Sequence, residues 1–144
     1  MDKGKTIALN IALIALLAVL LIWGNTLYRQ WIQFNKGEQA LAGNDVIAAI
    51  AGYESAIHMY TPLSPLVELS AERLWAIALK CEAGVEQERA LIAFRSLRSS
   101  FYAVRGLYQP GKVWIARSDA KIVELLKLQE KNEQGRHDIG TDRK

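Results

Sequence analysis

The most constraining feature of this chain is an uncharged apolar run near its N-terminus, from Ile7 to Trp23, in which Asn10 is the one strongly polar residue. Crossing about 30 Å of hydrocarbon takes some 20 helical residues at roughly 1.5 Å each. Thr6 and the segment 24–27 lengthen the run without adding a charge. Because the run is apolar on all sides, it does not resemble the one-sided core helix of a soluble fold. The sequence therefore predicts one transmembrane helix.

The flanks of this run are also typical of a membrane segment. Basic residues precede it, and aromatic rings cluster at its far end, as they do at membrane–water interfaces. A cleaved signal peptide is the alternative, because it also begins with basic residues. We favour an uncleaved anchor, since the run exceeds about 7–15 residues and no small-x-small cleavage pattern follows it. The expected membrane-interface residues are Lys3, Lys5, Trp23, Tyr28 and Trp31.

The orientation of the span rests on its short N-terminal tail. Two Lys/Arg residues stand on each side of the span, so counting them does not decide the topology. The short basic tail with its free amine favours a cytoplasmic N-terminus. We therefore expect a single-pass membrane protein with residues 25–144 on the non-cytoplasmic side, which is the periplasm if the source is a Gram-negative bacterium.

Beyond the span the sequence predicts helices and offers no alternating strand pattern of useful length. Glycines, prolines and N-cap residues mark the breaks between helices, and no proline separates the span from the first helix of the domain. The predicted helical segments are 27–42, 46–60, 66–83, 87–107 and 113 to about 128.

These segments predict an all-α fold in which a single N-terminal transmembrane helix is followed by a bundle of about five helices. The first helix of the bundle is expected to continue directly from the span. We divide the chain into a tail and transmembrane anchor at 1–26, a helical domain at 27–130, and a polar, disordered tail at 131–144.

The sequence also repeats itself weakly. A shift of 41 positions aligns residues of the same size class, so that aromatic residues fall on aromatic ones and small residues on small ones. A helix–turn–helix unit with small residues at its crossing can pack against a second copy of itself. The aligned pairs are Phe34 with Trp75, Gly37 with Ala78, Ala40 with Cys81, Gly43 with Gly84, Ala49 with Ala90, Ile50 with Leu91 and Tyr53 with Phe94.

The segment 49–62 resembles the second helix of a tetratricopeptide repeat, and Gly37 and Ala40 resemble the small positions of its first helix. The resemblance covers 31–62 and, more loosely, 72–105, with a period of 41 in place of the family's 34. It implies a tetratricopeptide-like bundle of about two degenerate repeats, capped by the last helix, that binds protein partners along its surface. An unrelated five-helix arrangement in which small residues recur by chance is the alternative.

Charge is distributed unevenly along the predicted domain. Eight acids and two bases lie between Glu38 and Glu88, whereas the stretch from Arg89 to Ser118 has six bases and no acid. Arginine and tyrosine together on a surface are typical of binding hot spots, and such a surface would suit an acidic segment of a protein partner. The predicted partner-binding residues are Arg95, Arg98, Tyr102, Arg105, Tyr108 and Trp114, the first four of which are spaced to share one face of the fourth helix.

Two other interpretations of these bases remain open. The arginines can pair with the acids of the chain itself, for example Glu82, Glu86 or Glu88, and so hold the fold together. They can also contact anionic lipid head groups, since a membrane is near. Nucleic acid is not favoured as a partner, because the overall charge is mixed and the chain carries a membrane tether.

No pattern in the sequence indicates an enzyme. His58 and His137 lie far apart, and no Cys or His pair has metal-ligand spacing. A glycine-rich phosphate loop and a nucleophile elbow are also missing. We expect Cys81 to be a small buried apolar residue rather than a reactive thiol. We therefore expect no catalytic residue, metal, cofactor or small-molecule substrate.

Two classes of function remain. The first is a membrane-anchored helical repeat scaffold that mediates protein–protein interaction in the assembly of a membrane or envelope complex. The second is a small structural or accessory subunit that assembles through its transmembrane helix. In that helix Ala8, Ala12 and Ala15 share a face near Asn10, and small residues allow close helix approach.

Overall fold

The computed structural model describes residues 3–84 and 86–141, with side chains through Gln134, and all regular secondary structure in this part of the chain is helical. The all-α prediction is confirmed for these residues. The helices are α1 Lys3–Ala42, α2 Val46–His58, α3 Pro65–Ala83, α4 Gln87–Ala103 and α5 Lys112–Thr141.

The first helix contains both the apolar run and the first helix of the domain. α1 continues for 40 residues without interruption, so the expected continuity between the two parts is confirmed. It is long and apolar enough to cross a membrane, and its most apolar stretch is not buried against the rest of the chain. Such a helix fits a single-pass membrane anchor or a signal sequence.

The helices begin and end at most of the predicted breaks. Asn44 has a positive φ of 63° just after α1. The Asp45 carboxylate accepts a backbone N–H of the first turn of α2 at 3.0 Å, which satisfies a donor that has no partner inside the helix. Ser64 caps α3, Pro65 is its first residue, and Gly84 is its C-cap. The predictions at these three breaks are confirmed.

The last two helices differ from the prediction in length. α4 ends at Ala103 instead of residue 107, because the chain turns at Gly106, whose N–H donates to the Tyr108 carbonyl at 3.2 Å. α5 continues to Thr141, beyond the predicted end near residue 128 and into the segment expected to be disordered. Residues 129–134 are mostly strong helix formers, and no proline follows to stop the helix.

The helices form two hairpins, α1 with α2 and α3 with α4, and α5 packs on α4. The ring of Phe34 lies 5.6 Å from the ring of Tyr53 in the first hairpin. The ring of Trp75 lies 5.1 Å from the ring of Phe94 in the second. The shift of 41 residues relates these two aromatic pairs, so the two hairpins make the same contact at corresponding positions.

A polar cluster at Glu38 joins the first three helices. The Tyr53 hydroxyl of α2 donates to the Glu38 carboxylate at 2.6 Å, and Arg73 of α3 donates to it at 2.7 Å. Burial, together with the hydrogen bond to Glu38, raises the pKa of Tyr53. Because the phenol remains protonated, it remains a donor to Glu38 throughout the physiological pH range.

Two glycines allow α1 and α2 to approach closely. A Cβ added at Gly52 would lie 2.6 Å from the backbone nitrogen of Gly37, and a Cβ added at Gly37 would lie 2.8 Å from the Tyr53 ring. Backbone atoms at this distance cannot move aside without shifting one helix against the other. The crossing of the first hairpin therefore requires glycine at both positions.

We expect Gly52→Ala to destabilise the domain by about 1–3 kcal/mol, because the added methyl group forces α1 and α2 apart. Thermal unfolding of the full chain in detergent, followed by circular dichroism, measures the loss. Gly24→Ala is the matched control, since it makes the same exchange in α1 where a Cβ meets nothing within 4 Å. Equal unfolding midpoints for the two variants would contradict the glycine crossing.

Candidate functional site

The six predicted partner-binding residues lie on α4, on the loop 104–111 and at the start of α5. Four of them are exposed, whereas Arg98 is half-buried and Trp114 is buried. The two less exposed residues take part in contacts within the domain. The exposed residues are Arg95, Tyr102, Arg105 and Tyr108.

Trp114 packs α5 against α3. Its side chain is 8% exposed, and its Nε1–H donates to the Glu68 carboxylate at 2.9 Å. The Trp114 ring lies 6.0 Å from the Trp75 ring. The Arg117 guanidinium lies 4.2 Å from the Trp75 ring centroid and 4.9 Å from the Trp114 ring centroid. Trp114 is therefore largely buried within the domain, and only a small part of its surface lines the open region between α3 and the start of α5.

Two of the arginines pair with acids of the same chain. Arg98 donates to Asp119 at 3.0 Å, and Arg89 contacts Glu86 at 2.6 Å. Both pairs are partly exposed, so each adds about 0–1 kcal/mol to stability. Asp119 lies just beyond the acid-free stretch, which is why counting charges along the sequence missed this pair. The interpretation that the arginines pair within the chain is correct for these two residues.

The prediction that four residues share one face of α4 is wrong for Arg105. α4 ends at Ala103, so Arg105 lies in the loop and not on the helix. Arg95 and Tyr102 remain on the exposed side of α4.

Most acids near the basic stretch, residues 89–118, already accept a hydrogen bond within the chain. Glu54 accepts a hydrogen bond from Ser96 at 2.8 Å, and Glu82 accepts one from Lys121 at 2.8 Å. The bonds to Glu82 and Glu124 raise the pKa of Lys121. Of the six bases between Arg89 and Ser118, four have no acidic side-chain partner among the described residues: Arg95, Arg105, Lys112 and Arg117.

Two of these cations, Lys112 and Arg117, line an open cleft of about 440 Å³ between α3 and the start of α5. We call it the α3–α5 cleft. The one acid in its wall, Glu68, already accepts the Trp114 N–H. Val113 projects into this region with 68% of its side chain exposed. The remaining lining residues are Gln109, Gly111 and Trp114.

The membrane-interface residues predicted on α1 all lie outside the domain core. Lys3 and Lys5 are in its first turn, and Trp23, Tyr28 and Trp31 are exposed. The rings of Tyr28 and Trp31 stack at 6.2 Å. Gln30 lies between them in sequence and is fully buried. One side of this turn of α1 therefore packs against the domain, and the opposite side is exposed.

The α3–α5 cleft offers cations, an aromatic floor and an exposed aliphatic side chain, which suit the binding of an acidic segment with apolar residues.

Among the described residues, no group of three His, Cys, Asp or Glu side chains is placed to hold a metal ion. No protein-family model matches the chain, and no curated protein or solved structure matches it either.

Cys81 lies in the core with 7% of its side chain exposed, as expected for a small apolar residue, and its burial raises the pKa of the thiol. We expect iodoacetamide to alkylate Cys81 in the folded chain at least about tenfold more slowly than in urea, because a buried thiol reacts only when the fold opens locally. The raised pKa adds to this effect, since less thiolate forms at a given pH. The folded-chain rate should keep rising above the pH at which the unfolded-chain rate levels off. Equal rates at pH 8 in the two states would show that the thiol is accessible.

Proposed function

We propose that this protein is a membrane-anchored helical scaffold whose domain binds an acidic segment of a partner protein. The apolar part of α1 is the anchor, and the two hairpins with their cap α5 hold the binding surface. The observation that carries the proposal is the α3–α5 cleft. Its two cations, Lys112 and Arg117, lack an acidic side-chain partner in the described residues, while its own carboxylate is occupied.

The repeated hairpins support the tetratricopeptide-like part of this proposal. Residues related by the 41-residue shift have matching burial: Tyr53 and Phe94 are both fully buried, and Ile50 and Leu91 are each 4% exposed. Stacked helical hairpins bind segments of other proteins along an extended surface. A scaffold of this kind needs no catalytic group, and its specificity comes from the side chains that line the surface.

The anchor is proposed to be uncleaved, with a cytoplasmic N-terminus and the domain on the other side of the membrane. Because α1 is one helix, the domain stands directly on the span without a linker. The cleft is then held at a fixed height above the bilayer, where it suits a segment just outside the membrane. Assembly through Ala8, Ala12 and Ala15 in the span remains a prediction, and these residues are exposed on α1.

A photocrosslinking amino acid placed at residue 113 of the full chain tests the cleft. We expect Val113→p-benzoyl-phenylalanine to crosslink one defined protein in native membranes. Val123→p-benzoyl-phenylalanine is the matched control, because Val123 is 50% exposed on the same helix but lies outside the cleft. Identical products from both positions, or none from residue 113, would contradict the proposed site.

The charge requirement is tested by reversing Lys112. We expect Lys112→Glu to weaken partner binding by at least about tenfold, which corresponds to about 1.4 kcal/mol, because the cleft loses a cation and gains a repulsive charge. Lys127→Glu makes the same change on an exposed position of α5 away from the cleft and should bind normally. Unchanged binding by Lys112→Glu would show that the segment recognised is not acidic.

A further inference from the structure

We infer that the domain makes a second contact with the membrane, in which Leu63 and Leu107 insert among anionic lipid head groups beside α1. These leucines lie in the α2–α3 loop, residues 59–64, and the α4–α5 loop, residues 104–111. The inference rests on the proposed anchoring of α1 in a bilayer. It adds a docking surface that neither the span nor the α3–α5 cleft provides.

The α2–α3 loop lies at the end of the domain nearest the span. α1 leads away from the apolar run and α2 returns along it, so the end of α2 comes back to the level of Gln30. The Gln30 side chain donates to the Ala56 carbonyl at 2.8 Å and accepts from the Ser64 hydroxyl at 2.5 Å. Gln30 is seven residues past Trp23, or about 10 Å along a helix. This places the loop at the depth of the head groups.

The α4–α5 loop lies at the same end of the domain. The hydroxyl groups of Tyr60 and Tyr108 are hydrogen-bonded to each other, and their rings meet edge to face with centroids 6.4 Å apart. This contact joins the α4–α5 loop to the α2–α3 loop. Both leucines therefore lie at the end of the domain where Tyr28 and Trp31 of α1 are exposed.

Neither leucine packs against the domain. The side chain of Leu63 is 97% exposed and that of Leu107 is fully exposed, whereas the apolar side chains of the core are nearly all buried. Leu63 also has a φ of 68°, in the left-handed region that leucine rarely adopts. The exposure of two leucine side chains on loops at one end of the domain is explained if these side chains enter an apolar environment.

The charged residues beside the two loops favour a lipid surface as this apolar environment. Outside the α3–α5 cleft, the basic residues near the two loops are Arg29 and Arg105, and both are exposed. Glu68, the acid in the first turn of α3, is hydrogen-bonded to Trp114. Leucine side chains with basic and aromatic neighbours are typical of segments that bind anionic membranes. The apolar run of α1, proposed to enter the bilayer, leaves the domain at the same end.

Site-directed fluorescence labelling of the full chain tests the inference. In a Cys81→Ala background, single cysteines replace Leu63, Leu107 or Ile47, and each carries the environment-sensitive NBD fluorophore. Ile47 is the matched control, because it is 51% exposed at the start of α2, at the opposite end of the domain. The chains are reconstituted in vesicles of phosphatidylcholine and phosphatidylglycerol containing a lipid with a shallow spin label.

We expect NBD at residues 63 and 107 to be blue-shifted and quenched by the spin-labelled lipid, and NBD at residue 47 to be neither. Vesicles of phosphatidylcholine alone should give less quenching at residues 63 and 107. Chains that float with the vesicles but show the same NBD signal at all three positions would overturn the loop contact while leaving the anchor intact. A blue shift without lipid quenching would also overturn it, because it would indicate a protein contact. Chains that do not float would refute the anchor itself.

Discussion

The close crossing of α1 and α2 is the contact on which the placement of the domain relative to the apolar run depends. Gly37 and Gly52 bring the two backbones together, and the buried Gln30 binds the end of α2 and the start of α3. Since α1 also contains the apolar run, this crossing fixes the domain to the helix proposed to enter the membrane. The second hairpin repeats the packing of the first at the Trp75–Phe94 contact, and α5 closes the stack.

The local features of the fold could be predicted from the sequence. Asp45 and Ser64 cap helices because their side chains accept backbone N–H groups, a short-range interaction that is visible in a few consecutive residues. The 41-residue shift relates the two aromatic contacts that hold the hairpins together. Hydrophobic spacing and turn residues act locally, so a single sequence contains the signals for them.

The candidate site depended on contacts that the sequence does not reveal. The Trp114–Glu68 hydrogen bond joins residues 46 positions apart, and it turned a predicted binding residue into part of the core. The end of α4 was misplaced by four residues, which moved Arg105 from a helix face to a loop. The exposure of Leu63 and Leu107 was not predicted either, because a single leucine in a loop belongs to no hydrophobic periodicity. The only signal available was their position at chain breaks, since Leu63 lies between Pro62 and Pro65 and Leu107 between Gly106 and Pro110.

Under the two proposals, for the cleft and for the two loops, the domain works at the membrane surface. The loops are proposed to fix the tilt of the domain, and the cleft between α3 and α5 then opens beside the bilayer. A partner whose acidic segment lies next to its own membrane span would reach this cleft with little loss of conformational freedom. The proposed recognition depends on α1 being one continuous helix from the apolar run into the domain.

The most direct test of this account is the distance between two spin labels on α1, one in the apolar run and one in the domain. Cysteines at Leu20 and Lys36 in a Cys81→Ala background, in membrane-reconstituted full chain, can be measured by double electron–electron resonance. A continuous helix separates their backbone positions by about 24 Å and predicts a narrow distribution near that value. A broad distribution or a markedly shorter distance would reveal a hinge between span and domain and would contradict the account.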